Sequence, residues 1–205
     1  MKTTRVSCVI MATLLVCSVH ALAAAGDVAA DVRAMFESGA WRHALTKLET
    51  VPNAQSDPAL RELLAMAYLY NASDLDSLGY VDKARTLMKQ IVEQGGKARF
   101  FVSLGRDKKK EANLLDSTPG ELVVTSSYVE FQARDGKAQN PQRWDKKDIT
   151  ECAANAKYGK SSNSFHLNVG RERDKSEQNF RPWHFSADES NLICSLIGVQ
   201  PPARR

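Results

Sequence analysis

From residue 27 to about residue 95 the apolar positions recur at intervals of three and four. Val28, Val32, Met35 and Phe36 form one stripe, closed by Gly39; Trp41, Ala44, Leu45 and Leu48 form a second, stopped near Pro52. Such spacing lines one face of a helix. Asp57 before Pro58 reads as an N-cap and a first helical residue, and Leu60, Leu63, Leu64, Ala67 and Tyr68 then share a face. A polar loop from Asn71 to Ser77 leads to a fourth stripe of Val81, Ala84, Met88 and Ile91, which Gly95-Gly96 ends. Four helices in this order predict two antiparallel hairpins.

After Gly96 the period changes to two, the signature of half-buried strands. Arg99 to Leu104 reads as a first strand, Asp116 to Gly120 as a turn, and Leu122–Val124 with Tyr128–Gln132 as a hairpin across Ser126-Ser127. Asp135-Gly136 and Asn140-Pro141 lead to Trp144 and Ile149; Phe165, Leu167 and Val169 alternate strictly. Phe180 to Phe185 reads as another strand, with Pro182 marking an edge or a bulge. Ser186 and Glu189 form a capping-box pair ahead of a last helix, whose apolar face is Leu192, Ile193, Leu196 and Ile197 and whose stop is Gly198 with Pro201-Pro202. The fold class expected is therefore α+β: helical hairpins, then an antiparallel β domain closed by a C-terminal helix.

The first residues change where that domain is expected to work. Lys2 and Arg5 precede an apolar run from Val6 to Val19, and Ala21-Leu22-Ala23 or Ala23-Ala24-Ala25 offers a small-residue exit. This is the layout of a cleavable signal peptide over residues 1–25. The run is short for a membrane span, which needs about 20 apolar residues, so a retained anchor is the lesser alternative. Val16 before Cys17 argues against a lipoprotein. The expected location is periplasmic or extracellular, with segments 1–25, 26–96, 97–199 and a tail 200–205.

Cys8 and Cys17 leave with the leader; Cys152 and Cys194 remain. An even pair in an oxidising compartment predicts one disulfide, the alternative being two buried thiols. Strict alternation would put Cys152 on the strand face opposite Ile149, so the bond calls for a bulge or for a strand ending near Glu151. Charge is uneven: residues 26–96 carry seven basic and ten acidic side chains, residues 97–205 nineteen and fourteen. The mildly basic second half weakly favours an acidic partner or an anionic surface.

The helical turns repeat. Gly39-Ala40-Trp41-Arg42-His43-Ala44 is answered forty residues later by Gly79-Tyr80-Val81-Asp82-Lys83-Ala84, and Leu48 and Met88 follow at one offset. This resembles the tetratricopeptide pattern over about residues 27–95, although the spacing is longer and most of the first-helix signature is missing. The resemblance implies a scaffold for a protein or peptide; a plain helical bundle is the alternative. In the second half, Gly120-Glu121-Leu122-Val123-Val124, Tyr128-Val129-Glu130-Phe131 and Trp144-Asp145-Lys146-Lys147-Asp148-Ile149 are similar to strands of pleckstrin-homology-like domains, small bacterial and GRAM-type members included. That resemblance covers about residues 97–199 and implies a bent sheet sandwich plugged by its last helix. An unrelated small β-barrel is the alternative.

Candidate chemistry is sparse. His43, in the helical half, and His166 and His184, on predicted strands, lack the spacing of a metal site, and the two strand histidines read as solvent-facing. Gly159-Lys160-Ser161 lacks the earlier glycine of a phosphate loop, position 154 being Ala154. Asn71-Ala72-Ser73 is a formal glycosylation sequon. Acidic residues are scattered singly, so a hydrolase working between the two halves is the weakest reading. The basic cluster Arg106, Lys108, Lys109 and Lys110 is the remaining candidate: in lipid-binding pleckstrin-homology members an early basic loop grips anionic headgroups, while a solvated loop is the plain alternative. No cofactor, metal, nucleic acid or small-molecule substrate is implied. The function expected is non-catalytic binding of a protein partner in the cell envelope, with peripheral binding to anionic lipid through residues 106–110 as the alternative.

Overall fold

The computed structural model describes residues 27–72, 78–105, 117–134, 141–157, 160–170, 176–183 and 187–199. Residues 1–26, where a signal peptide is expected, Ser73, the basic cluster Arg106 to Lys110, Gly159, His184, Ser186 and the tail from residue 200 lie outside these residues. The chain divides into two compact units between Leu64 and Ala65, inside a helix.

In the first unit, α1 (27–37) and α2 (Trp41–Thr50) flank Gly39, whose φ of 75° is the left-handed turn that glycine reaches without strain. Asp31 and Lys47, eight residues before and eight after Gly39, meet at 2.6 Å, and the Phe36 and Trp41 rings lie 5.0 Å apart. Pairing of positions equidistant from the turn means the two helices run antiparallel. Val32, Phe36, Ala44, Leu45 and Leu48 are buried. α3 (Pro58–Asn71) starts as expected: the Asp57 carboxylate accepts from the amides of Ala59 and Leu60 at 2.9 and 3.0 Å. Its later part differs from the expected one-sided stripe. Every residue from Leu63 to Tyr70 is buried, the mark of a helix apolar all round.

The second unit holds the rest of α3, α4 (Tyr80–Glu93), the sheet and the last helix. Gly79, at φ 64°, is the counterpart of Gly39; Tyr68 and Tyr80 lie 5.4 Å apart across that turn, with the Lys83 ammonium 5.1 Å above the Tyr68 ring. α4 ends at Gly95, φ 79°, where the Gly96 amide donates to Ile91 O at 2.8 Å.

Seven antiparallel strands follow: β1 (Ala98–Gly105), β2 (Ser117–Val124), β3 (Tyr128–Ala133), β4 (Gln142–Asp145), β5 (Ile149–Lys157), β6 (Lys160–Val169) and β7 (Ser176–Pro182). Their order across the sheet is β4-β3-β2-β1-β7-β6-β5. The two edge strands are joined by only the 3-10 turn Lys146–Asp148. In a flat sheet they would stand about 29 Å apart, at about 4.8 Å per strand. Four Cα steps reach about 15 Å at most. The sheet must therefore curl, and the rings on its inner face record that: Phe180 of β7 lies 5.9 Å from Phe131 of β3 and 6.0 Å from Trp144 of β4. Phe165 stacks on Phe180 at 5.2 Å, and Phe100, Phe165 and Phe180 are fully buried.

Two expectations are corrected. Residues 117–120 belong to β2 rather than to a turn, and a side chain at Gly120 would force its neighbours to shift: an added Cβ would sit 2.4 Å from Gln132 O and 2.5 Å from the Phe131 ring. Pro182 is not on an edge, because β7 lies between β1 and β6; it is the last residue of its strand, where a missing amide disturbs least.

The last helix, α5 (Ala187–Ile197), packs on β5 and β6 and against α4. Leu192, Ile193, Leu196 and Ile197 are buried as the periodicity requires, and Gly198 at φ 79° ends the helix. Lys146 donates to Leu196 O at 2.7 Å, placing a cation at the negative end of the helix. Cys152 and Cys194 form the disulfide, with Cα atoms 5.3 Å apart. The pairing register explains how: Ile149 faces Val169 and Glu151 faces Asn168, so Thr150 is an extra residue. That bulge returns Cys152 to the inner face beside Leu167.

Candidate binding surface

The ladder between β1 and β7 is short. It pairs Val102 with Pro182, Ser103 with Arg181 and Leu104 with Phe180, and stops at Phe101. A strand residue sends its amide and carbonyl to the same side, so Phe101 would be left with both unsatisfied. The carbonyl takes the Trp183 amide at 3.0 Å, and the amide donates to the Tyr70 hydroxyl at 2.8 Å. The Tyr70 phenol thus replaces a missing strand carbonyl. Burial pushes that phenol well above its ordinary pKa, and the charge of Glu189, fully buried on α5, pushes it further.

These bonds fix what stands above Phe101. Its ring lies 5.5 Å from Tyr70 and 5.8 Å from Trp183. Arg134, just past the end of β3, is anchored by its amide to Pro119 O at 2.9 Å. Its guanidinium lies 4.9 Å from the Phe101 ring and 5.6 Å from the Trp183 ring. Trp183 nevertheless keeps 40% of its surface exposed, one of two large apolar residues that do so among those described. The result is an exposed indole with a guanidinium beside it on the sheet face. Arg99 and Glu121 form an ion pair at 2.5 Å on the same strands.

A second cluster lies on β5 and β6. His166 Nδ1 is 2.6 Å from Asn155 Oδ1, and the Asn155 amide donates to Ser164 Oγ at 2.8 Å. Nε2 is 3.8 Å from Glu151 Oε1, while the other Glu151 oxygen accepts from Asn168 Nδ2 at 2.6 Å. These bonds cross-link the two strands. His166 is accordingly half-buried rather than solvent-facing, and His43 on α2 is exposed. Among the described residues no three His, Cys, Asp or Glu side chains are grouped to hold a metal ion, and no helix is long and apolar enough to cross a membrane.

Of the residues singled out from sequence, Cys152 and Cys194 are joined; Arg106, Lys108, Lys109 and Lys110 lie outside the described residues. The cluster of Tyr70, Phe101, Arg134 and Trp183 had no sequence signal. Its members come from the end of α3, from β1 and from the ends of β3 and β7, and only the sheet order brings them together. No protein-family model matches the chain, and no curated protein is similar to it.

Proposed function

We propose that the mature chain is an exported, non-catalytic binding protein of the cell envelope, and that its β part meets a protein partner through Trp183 and Arg134. The observation that carries this reading is the exposed Trp183 beside Arg134, both against Phe101. Exposed tryptophan and arginine held in fixed positions are the residues that most often dominate binding energy between proteins. Two features support the finer assignments. The hairpin turns at Gly39 and Gly79, both at positive φ, fit tetratricopeptide-like helices. The curled seven-stranded sheet with α5 against it fits a pleckstrin-homology-like domain.

The test is affinity capture from envelope extract with disulfide-intact mature protein, at low and moderate salt, beside Trp183→Ala. A discrete protein retained by the wild type at both salts and lost by the variant is the expected result. Equal retention by both proteins removes this surface from the account.

A second reading, peripheral binding to anionic lipid through Arg106, Lys108, Lys109 and Lys110, has one observation in its favour. The strand ends joined by residues 106–116, 135–140 and 171–175 all lie at one end of the sheet, so three connections with basic residues start and finish there. Each basic charge near an anionic membrane contributes about 1 kcal/mol. Replacing Lys108, Lys109 and Lys110 by Glu then abolishes vesicle binding, whereas capture through Trp183 is unaffected.

A further inference from the structure

Given a protein partner at Trp183, the chemistry of the partner can be read from Arg134. We infer that the surface takes a side-chain carboxylate, an Asp or Glu next to an apolar residue in an exposed segment of the partner. This rests on the binding reading above.

The argument starts with what the guanidinium has already used. It is planar, with its N–H donors in the plane and its faces free to stack. The Phe101 ring at 4.9 Å and the Trp183 ring at 5.6 Å, themselves 5.8 Å apart, lie together on one side of it. The donors around the edge are not served. Among the described residues the Arg134 side chain has no hydrogen bond or ion pair, and Glu121, the acid on the neighbouring strand, is bound to Arg99 at 2.5 Å. An exposed cation thus rests against two aromatic rings, with its directional donors unused among the described residues. The planar fork of a guanidinium matches the two oxygens of a carboxylate.

The indole decides what accompanies the acid. Trp183 exposes 40% of its surface beside Arg134, so an apolar side chain adjacent to the carboxylate covers it and partly shields the ion pair from water. The backbone decides between a side-chain carboxylate and a chain terminus. Terminal carboxylates are captured by free backbone amides. Among the described residues of this surface, the amides of Phe101, Trp183 and Arg134 are bonded to the Tyr70 hydroxyl, Phe101 O and Pro119 O. That leaves the guanidinium, which suits a side chain.

The experiment uses mature protein and short peptides blocked at both ends, one with Leu-Asp-Leu at its centre and one with Leu-Asn-Leu. Binding is read from the Arg134 Nε–H and Trp183 indole signals in NMR spectra. The acidic peptide is expected to shift both signals with a dissociation constant near 1 mM, about −4 kcal/mol, and the amide peptide to bind at least about 5-fold more weakly. Arg134→Gln should abolish the difference, and Arg134→Lys should lose most of it, because a lysine lacks the fork. Equal shifts with both peptides, no shift with either, or acidic binding unchanged in Arg134→Gln overturns the inference. So does displacement of the acidic peptide only by phosphatidylglycerol vesicles and by no acidic protein segment. The two levels fail separately: envelope capture lost in Trp183→Ala but kept in Arg134→Gln removes the carboxylate and keeps the surface.

Discussion

Replacing Tyr70 by Phe removes one oxygen and nothing else, and the structure states what that oxygen does. It accepts the amide of Phe101 at 2.8 Å, where the β1–β7 ladder has run out. Tyr70 is 5% exposed and Phe101 9%, so water has little access to take over. A buried amide left without an acceptor costs about 1–3 kcal/mol, and the packing of the ring against Phe101 at 5.5 Å is retained. Urea unfolding of the disulfide-intact chain from Gly26 onward should therefore show a loss of about 1–3 kcal/mol with an unchanged slope. Hydrogen exchange at the Phe101 amide should accelerate beyond what global destabilisation accounts for. The same residue gives a pH signature. The phenol titrates well above its usual range when folded, because of burial first and Glu189 second. In the unfolded chain it ionises near pH 10. Above that pH the unfolded state has lost a proton that the native state keeps, so stability falls as pH rises. Tyr70→Phe should flatten that alkaline loss. A stability change under about 0.5 kcal/mol with normal exchange at Phe101 would refute the role assigned to the hydroxyl.

Three further outcomes follow from single contacts. Gly120→Ala drives a methyl group into Gln132 O and the Phe131 ring, and should cost more than about 2 kcal/mol in thermal or urea unfolding, whereas an ordinary surface Gly→Ala costs little. Reducing the Cys152–Cys194 bond, or replacing both residues by Ser, releases a loop closed across 42 residues and should lose about 4 kcal/mol; the oxidised, denatured protein should take up no alkylating reagent until reduced. Asp57→Ala strips the acceptor from the Ala59 and Leu60 amides and should cost about 1 kcal/mol, with Asn in place of Ala restoring most of it.

How much of this was legible in the sequence depends on how local each signal is. Asp57-Pro58, Gly39, Gly79 and Gly95 announce helix ends through the chemistry of one or two residues, and the structure has helix ends there. Strict alternation at Phe165, Leu167 and Val169 identified the inner face of β6. The turn after β2 is as short as its sequence suggests, with Thr125 Oγ1 accepting from the Tyr128 amide at 3.0 Å. Alternation failed where one residue is inserted: Thr150 has no local mark of a bulge, and only the need to bring Cys152 to Cys194 hinted at it. Pro182 was misplaced because a proline ending a central strand looks, in one dimension, like a proline on an edge. The Tyr70, Phe101, Arg134 and Trp183 cluster was invisible for a stronger reason. It depends on where the β1–β7 ladder stops, which is a property of strand register rather than of any segment. His166 was likewise read as solvent-facing because its partners Asn155 and Glu151 sit on the neighbouring strand.

The claim that Trp183 lies in a binding surface is tested most directly by placing a photoreactive amino acid at position 183 in the producing cell. Illumination should join the chain to one discrete protein, and the same probe at Glu93, exposed on α4 outside this surface, should not. The same adduct from both positions, or none from position 183 when the variant is folded and present at the wild-type level, would contradict the account.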